Sequence, residues 1–298
     1  MTNMLKQRSL HARCTALLLS LFFLLAGLTL PVSAGDSTET RAISAASVPV
    51  YVNGQNTGQR AYLLSPGVTY MPLRTLASLL LGEVSITWDT SAKTAYVKTG
   101  SYTISVPWNS SYISSNGRYF GMSGISPAKN VLKNGVTYVP LRTAVRAMGG
   151  EVSWNTSAGR VDIVKGNGTV TSGDSYYNKD SLYWLSRIIY AEAGDQTLEG
   201  QVAVGNVVMN RVRSSEFPND IYGVIFDKKY GVQFTPVSNG TIYNTPSAES
   251  VIAAKLVLDG CVVTEKAMYF LDPRISSNFW VVNNRTFLFS LGCHDFYQ

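Results

Sequence analysis

The chain has 298 residues, is 45% hydrophobic and only 15% charged, and carries a formal charge of +6. That composition supports real cores and excludes a disordered chain. The charge is unevenly placed: residues 35–170 hold 12 basic and 6 acidic groups (+6), while residues 171–298 hold 10 and 13 (−3). No Lys/Arg-rich run or aromatic RNA motif accompanies the basic half, so nucleic acid is not an expected partner.

The first 34 residues read as an export signal. Lys6, Arg8 and Arg13 precede an uncharged apolar run, Thr15–Leu30, and Val32-Ser33-Ala34 offers a small-residue cleavage site. The run is short for a bilayer span of about 20 residues. Cleavage after Ala34 is therefore expected, leaving a secreted chain of net charge +3 with no stable membrane span. A basic front half on an exported protein suits an anionic wall polymer. Cys14 and His11 fall in the signal, leaving Cys261, Cys293 and His294. Pairing of the two cysteines stays open on sequence. With one imidazole left, no protein metal site and no cofactor is expected.

Two front segments match: residues 67–98 (GVTYMPLRTLASLLLGEVSITWDTSAKTAYVK) and 135–165 (GVTYVPLRTAVRAMGGEVSWNTSAGRVDIVK). Each predicts a strand, a helix opened by Pro72 or Pro140, a glycine stop, and a strand pair around an Asp/Asn-Thr-Ser turn. The first helix carries the apolar stripe Leu73, Leu76, Ala77 and Leu80, and the second carries Val145 and Met148. These residues resemble the copper amine oxidase N-terminal domain, over residues 48–166. The resemblance implies an α+β module, here a duplicated strand-helix-strand unit, often attached to wall-associated proteins. The segment has no His or Cys, so copper is not expected with it. Arg74 and Arg142 recur in both copies, as structural contacts or as contacts to other wall polymers.

Residues 166–178 are rich in Gly, Ser, Thr and Asn, and 167–178 read as a flexible linker. The second domain is then residues 179–298. Asp180-Ser181 would cap a helix ending at Gly194. At about 100° per residue from Leu182, Leu185 falls at about 300°, Ile188 at about 240° and Ile189 at about 340°. Glu192 falls at about 280°, inside that apolar arc. A carboxylate aimed at apolar packing has its charged form disfavoured, so it holds a proton near neutrality as a general acid must. A core Glu satisfied by Arg211 is the other reading of the same pattern. A buried second helix, Thr197–Val212, carries a polar line at Glu199, Asn206 and Asn210. Aromatics flanked by Asn, Gln and Ser at 228–243, 267–280 and 292–298 fit a sugar cleft, although most such rings fill cores.

The stretch Ile189-Tyr-Ala-Glu-Ala-Gly, then Glu199-Gly-Gln-Val-Ala-Val and Asn210-Arg211-Val212, resembles the spore-cortex-lytic cell wall hydrolase family. Gln233-Phe234, a helix at Glu249–Asp259, Ala267-Met-Tyr-Phe and Gly292-x-His294-x-Phe296-Tyr297 continue the likeness. Gly194-Asp195-Gln196 departs from the family's usual turn. The resemblance implies a mainly helical lysozyme-like domain with some β structure, and peptidoglycan glycan strands as partner. The activity it implies is cleavage of the MurNAc–GlcNAc β-1,4 bond as a lytic transglycosylase giving 1,6-anhydro ends, on spore cortex or vegetative wall. Glu192 would be catalytic. Candidate substrate contacts are Glu199, Gln201, Asn206, Gln233, Phe234, Tyr269 and His294. The competing reading is an inactive wall-binding scaffold. A Cys293-His294 peptidase is disfavoured, because adjacent residues rarely face each other.

Overall fold

The structure, a computed structural model, describes residues 46–298 apart from Pro66, Gly168, Tyr230, Ser277 and Asn278. The expected export signal lies outside the described residues. Among the described residues no helix is long and apolar enough to cross a membrane.

The front half contains twelve strands among the described residues and two short helices: β1 (Ser47–Val52), β2 (Gln55–Ser65), β3 (Val68–Pro72), α1 (Leu73–Leu81), β4 (Ser85–Asp89), β5 (Thr94–Lys98), β6 (Thr103–Pro107), β7 (Tyr112–Ser115), β8 (Arg118–Gly121), β9 (Val131–Lys133), β10 (Val136–Pro140), α2 (Leu141–Ala147), β11 (Glu151–Asn155) and β12 (Arg160–Val164). One sheet runs in the order β11-β12-β1-β2-β3-β10-β9 and a second in the order β4-β5-β6-β7-β8. Among the described residues of these two sheets, the β1–β12 pairing is parallel and the others are antiparallel. β3 and β10, each ending in the proline that starts the next helix, pair antiparallel with Tyr138 opposite Pro72 and Pro140 opposite Tyr70. Leu73, Leu76, Ala77 and Leu80 of α1 are buried in one core with Val145 and Met148. Arg74 and Arg142 are exposed.

The back half is mostly helical: α3 (Gly173–Tyr176), α4 (Lys179–Ala193), α5 (Leu198–Arg213), α6 (Ile221–Phe226), α7 (Thr235–Asn239), a 3-10 turn at Thr241–Tyr243, α8 (Ala248–Leu258), β13 (Tyr269–Leu271), α9 (Phe279–Asn284), β14 (Phe287–Leu291) and β15 (His294–Tyr297). Together they make a mixed α+β chain, with the last three strands forming a small sheet in the order β13-β15-β14. The cap of α4 differs from expectation: Asn178, one residue before the helix, accepts the Ser181 N–H, and Asp180 lies in the first turn. Asn is as good an N-cap as Asp, and its position outside the helix leaves the side chain free to turn back. Thr197 caps α5 by accepting from Gly200 N–H.

The segment expected to be a flexible linker is packed instead. Val170 joins the front core, and Gly173 N–H donates to the Asn116 carbonyl at 2.8 Å. A Cβ at Gly173 would lie 2.3 Å from the Gly117 carbonyl oxygen, so only glycine fits this approach. Tyr177 is buried; its Oη accepts from Tyr119 N–H at 2.9 Å and donates to Asp259 at 3.0 Å. Polar composition predicts solvent exposure, but small residues also let two backbones meet, and here they do.

The halves meet through polar and apolar contacts. Arg118 grips Asp259 with Nε at 3.1 Å and a second nitrogen at 2.5 Å, while its guanidinium stacks 3.5 Å from the Tyr176 ring centroid. Gly121 lies against Cys261, where an added Cβ would meet Sγ at 2.5 Å. Cys261 and Cys293 are both free thiols.

Candidate active site

α4 carries Glu192 two residues before its glycine end, and burial of Leu185, Ile188, Ile189 and Ala193 aims the same arc into the domain. Glu192 is half-buried. Burial pushes its carboxyl up to about 7, opposed by the positive charge of Arg211. No hydrogen bond reaches this carboxylate from the described residues, so the field of Arg211 is what favours its ionised form, and burial outweighs it.

Arg211, near the end of α5, is almost wholly buried. Its Nε donates to the Met268 carbonyl at 2.8 Å, and its guanidinium lies 5.0 Å from the Phe217 ring, 5.2 Å from Phe234 and 5.2 Å from Tyr269. Burial brings this group down to about 10, against the fields of Tyr269, Asp227 and Glu192. Arg211 therefore does not neutralise Glu192 by a direct ion pair; among the described residues it forms none within contact distance. The reading of Glu192 as a satisfied core residue loses its partner.

The expected substrate contacts divide. Gln201 is fully buried, donating to the Gln196 carbonyl at 3.0 Å and accepting from Ser250 Oγ at 2.8 Å. Asn206 is buried too: it donates to the Cys261 carbonyl at 2.9 Å and accepts from Val263 N–H at 2.7 Å. Asn210 donates to the carbonyls of Thr264 and Ala267. Glu199 accepts from Ser111 Oγ of the front half at 3.0 Å. The polar line on α5 thus braces the loop after α8 and reaches the front half. A polar stripe on a buried helix needs partners, and backbone groups of an irregular loop supply them. His294 is only 6% exposed, wedged 5.2 Å from the Phe270 ring, and burial lowers its basicity. Phe234 is buried as well, under the Arg211 guanidinium. Gln233 and Tyr269 are half-buried and stay accessible to a ligand.

Asn206→Ala removes the donor and the acceptor that hold the Cys261 carbonyl and the N–H groups of Val263 and Thr264. The expected outcome is a stability loss of about 1–3 kcal/mol by calorimetry, with glycan affinity unchanged. Lost affinity at an unaltered melting temperature would restore its role as a substrate contact.

The turn after the acid has its own anchor. Gln196 accepts the Cys293 N–H at 3.1 Å and donates to Asp195 at 2.8 Å, fastening α4 to the start of β15. The Gly-Asp-Gln departure therefore carries a structural contact. Arg211 had a sequence signal as part of the Asn210-Arg211-Val212 stretch and Trp280 as part of the 267–280 aromatic segment, whereas Arg285 had only its basic character.

Residues 195–297 match the family model described as Cell Wall Hydrolase, which begins three residues after Glu192. Residues 125–177 match the Copper amine oxidase N-terminal domain. That segment offers no imidazole or thiolate for copper, and no step is assigned to a metal. A spore cortex-lytic enzyme of Bacillus cereus is 33% identical over 105 residues, 35% of this chain and 39% of the relative. The spore cortex-lytic enzyme of Bacillus subtilis strain 168 is 32% identical over 105 residues, 35% of this chain and 33% of the relative. The chain thus spans well under half the length of these curated relatives. The catalytic domain of the germination-specific lytic transglycosylase SleB from Bacillus anthracis is 32% identical and is covered completely by 43% of this chain, with a TM-score of 0.38. From Asp195 to Tyr297 the chain is thus similar to cell wall hydrolase domains, and residues 125–177 before it are similar to the copper amine oxidase N-terminal domain.

Proposed function

We propose that this protein cleaves the MurNAc–GlcNAc β-1,4 bond of peptidoglycan glycan strands as a lytic transglycosylase. The observation that carries the reading is Glu192, a half-buried carboxyl pushed up to about 7 and standing three residues before the family-matched segment 195–297. Protonated, it gives its proton to the bridging oxygen as the C1–O bond breaks. As carboxylate, it takes the proton of the muramyl 6-hydroxyl as that oxygen bonds to C1, leaving a 1,6-anhydro end. Two-carboxylate glycosidases hold their pair about 5–9.5 Å apart. A like charge that close would push Glu192 up further, yet burial is the one upward influence on it. Glu199, the nearest following carboxylate on α5, is held by Ser111. One-carboxylate chemistry follows.

In this reading residues 48–166 are a duplicated strand-helix-strand module able to touch other wall polymers, 167–178 join it to a lysozyme-like catalytic domain at 179–298, and the mature protein works outside the cell at wall or spore envelope. The names of the relatives support cortex as substrate and germination as the setting.

Digestion of purified peptidoglycan, followed by mass spectrometry of the sugar ends, tests the reaction. Anhydro-muramyl ends are expected from the wild type; ordinary reducing ends would show hydrolysis instead, and no cleavage would leave a scaffold. The free acid must be protonated, so kcat/KM should fall as pH rises through about 7. A profile flat from pH 5 to 9 would remove Glu192 as the acid.

A further inference from the structure

Arg211 carries more hydrogen-bonding capacity than its surroundings use. The residue is 4% exposed, and its Nε is spent on the Met268 carbonyl at 2.8 Å. The rings of Phe217, Phe234 and Tyr269 frame the guanidinium at 5.0–5.2 Å. Such rings attract the cation as a whole, while the N–H groups in its plane still call for oxygen acceptors. Nη1 is buried from water and has no hydrogen-bond partner. A charged donor left unpaired in the interior is costly, so a role as anchor for Met268 does not account for it.

Three ionisable groups act on Arg211 from the elements around it: Glu192 on α4, Asp227 after α6 and Tyr269 on β13. Asp227 is turned into its own loop, where it accepts the Lys229 N–H at 2.9 Å. Tyr269 presents its ring, which also meets the Arg285 guanidinium at 4.6 Å and Trp280 edge-on at 6.4 Å. The Glu192 carboxyl has no hydrogen bond, and among the described residues the charge that acts on it is that of Arg211. No direct ion pair joins the two. An unused donor and an unused carboxyl thus lie within each other's field, on two helices that pack together.

We propose that Arg211 is a positioning residue for the second half of the reaction: its free Nη1 donor receives the Glu192 carboxylate once that group has given up its proton, and holds it for the return transfer. Protonated, the carboxyl is neutral and gains little from the guanidinium, so the two stay apart. As the C1–O bond breaks and the proton passes to the bridging oxygen, the carboxylate left behind takes a charge-assisted hydrogen bond from Nη1. Arg211 keeps its own protons throughout. When the muramyl 6-oxygen bonds to C1, its proton passes to Glu192 and the pair separates. The proposal rests on the transglycosylase reading and deepens it, by assigning the group that steadies the acid between its two proton transfers.

The test uses full-length protein in two measurements. One follows the ionisation of Glu192 without substrate, by carbon-13 NMR of glutamate-labelled protein, with Glu192→Gln to assign the resonance. The other is the pH profile of anhydro-end release from peptidoglycan. Arg211→Met removes the charge; Arg211→Gln removes it but keeps a donor for the Met268 carbonyl; Arg211→Lys keeps the charge. Melting temperatures report which variants are folded. Without the positive charge the carboxylate is disfavoured, so in the Met and Gln variants the Glu192 midpoint and the falling limb of kcat/KM should both move up by about one pH unit. Their kcat should fall about tenfold with KM unchanged, and Arg211→Lys should restore the limb and most of kcat. An anchor for Met268 and nothing more predicts lower stability with midpoint and limb unmoved, and that result overturns the proposal, as does a Lys variant no better than Met. Wild-type protein that releases no anhydro ends overturns the transglycosylase reading itself. Wild-type cleavage with a limb that Arg211→Gln does not move overturns the role of Arg211 alone.

Discussion

Glu192→Gln is expected to lower the rate of anhydro-muropeptide release by about 10²–10⁴-fold, toward the upper end because one carboxyl serves both proton transfers. The amide keeps the size and hydrogen-bonding shape but can neither give nor take the proton. A variant within tenfold of the wild type would sink the mechanism. The same substitution has an independent readout in stability. Burial moves the folded carboxyl up to about 7, from 4.5 for an unperturbed glutamate. Below about 4.5 both folded and unfolded forms are neutral, and the wild type and variant should be alike. Between about 4.5 and 7 the unfolded chain ionises while the fold holds a neutral acid, so wild-type stability falls as pH rises. Above about 7 the loss is complete, about 3 kcal/mol relative to Gln. Denaturation at pH 5 and pH 8 should therefore show the variant gaining on the wild type at the higher pH. No such gain would mean that the carboxyl is not desolvated.

Asp259→Ala is expected to be the most destabilising single change at the contact of the two halves. The Asp259 side chain is 2% exposed and Arg118 17%, with two hydrogen bonds between them and a third from Tyr177. Removing one partner strands a largely buried guanidinium, at a cost of about 3–5 kcal/mol. For a chain of this size that lowers the melting temperature by roughly 6–15 °C. Calorimetry of the full chain checks it, and a fall under 2 °C would show that solvent replaces the pair. Because Asp259 ends the stretch whose following loop is held by Asn206, the front half supports the loop that braces α5.

Much of the local architecture was legible from residue order. The stripe Leu73, Leu76, Ala77 and Leu80 predicted the buried face of α1, and Thr197 predicted the start of α5. Each depends on neighbours within a turn or two, where backbone geometry sets which side chains share a face. The arc that holds Glu192 was legible for the same reason. The linker was not, because glycines permit close backbone contact as readily as mobility, and only the approach of Gly117 to Gly173 decides between them.

The partners of the polar site candidates were hidden in the same way. Glu199, Gln201 and Asn206 looked like ligand contacts because a polar side chain on a buried helix needs a partner. The sequence alone determined that need and the placing of an ionisable acid among apolar residues. Tertiary structure decided who the partners are: Ser111 for Glu199, Ser250 for Gln201, and the backbone around Cys261 for Asn206. Those partners stand 49 to 88 residues away in the chain. Periodicity carries no information over such separations, whereas the desolvation that raises Glu192 and leaves Arg285 Nε without a partner exists only once distant segments have closed around them.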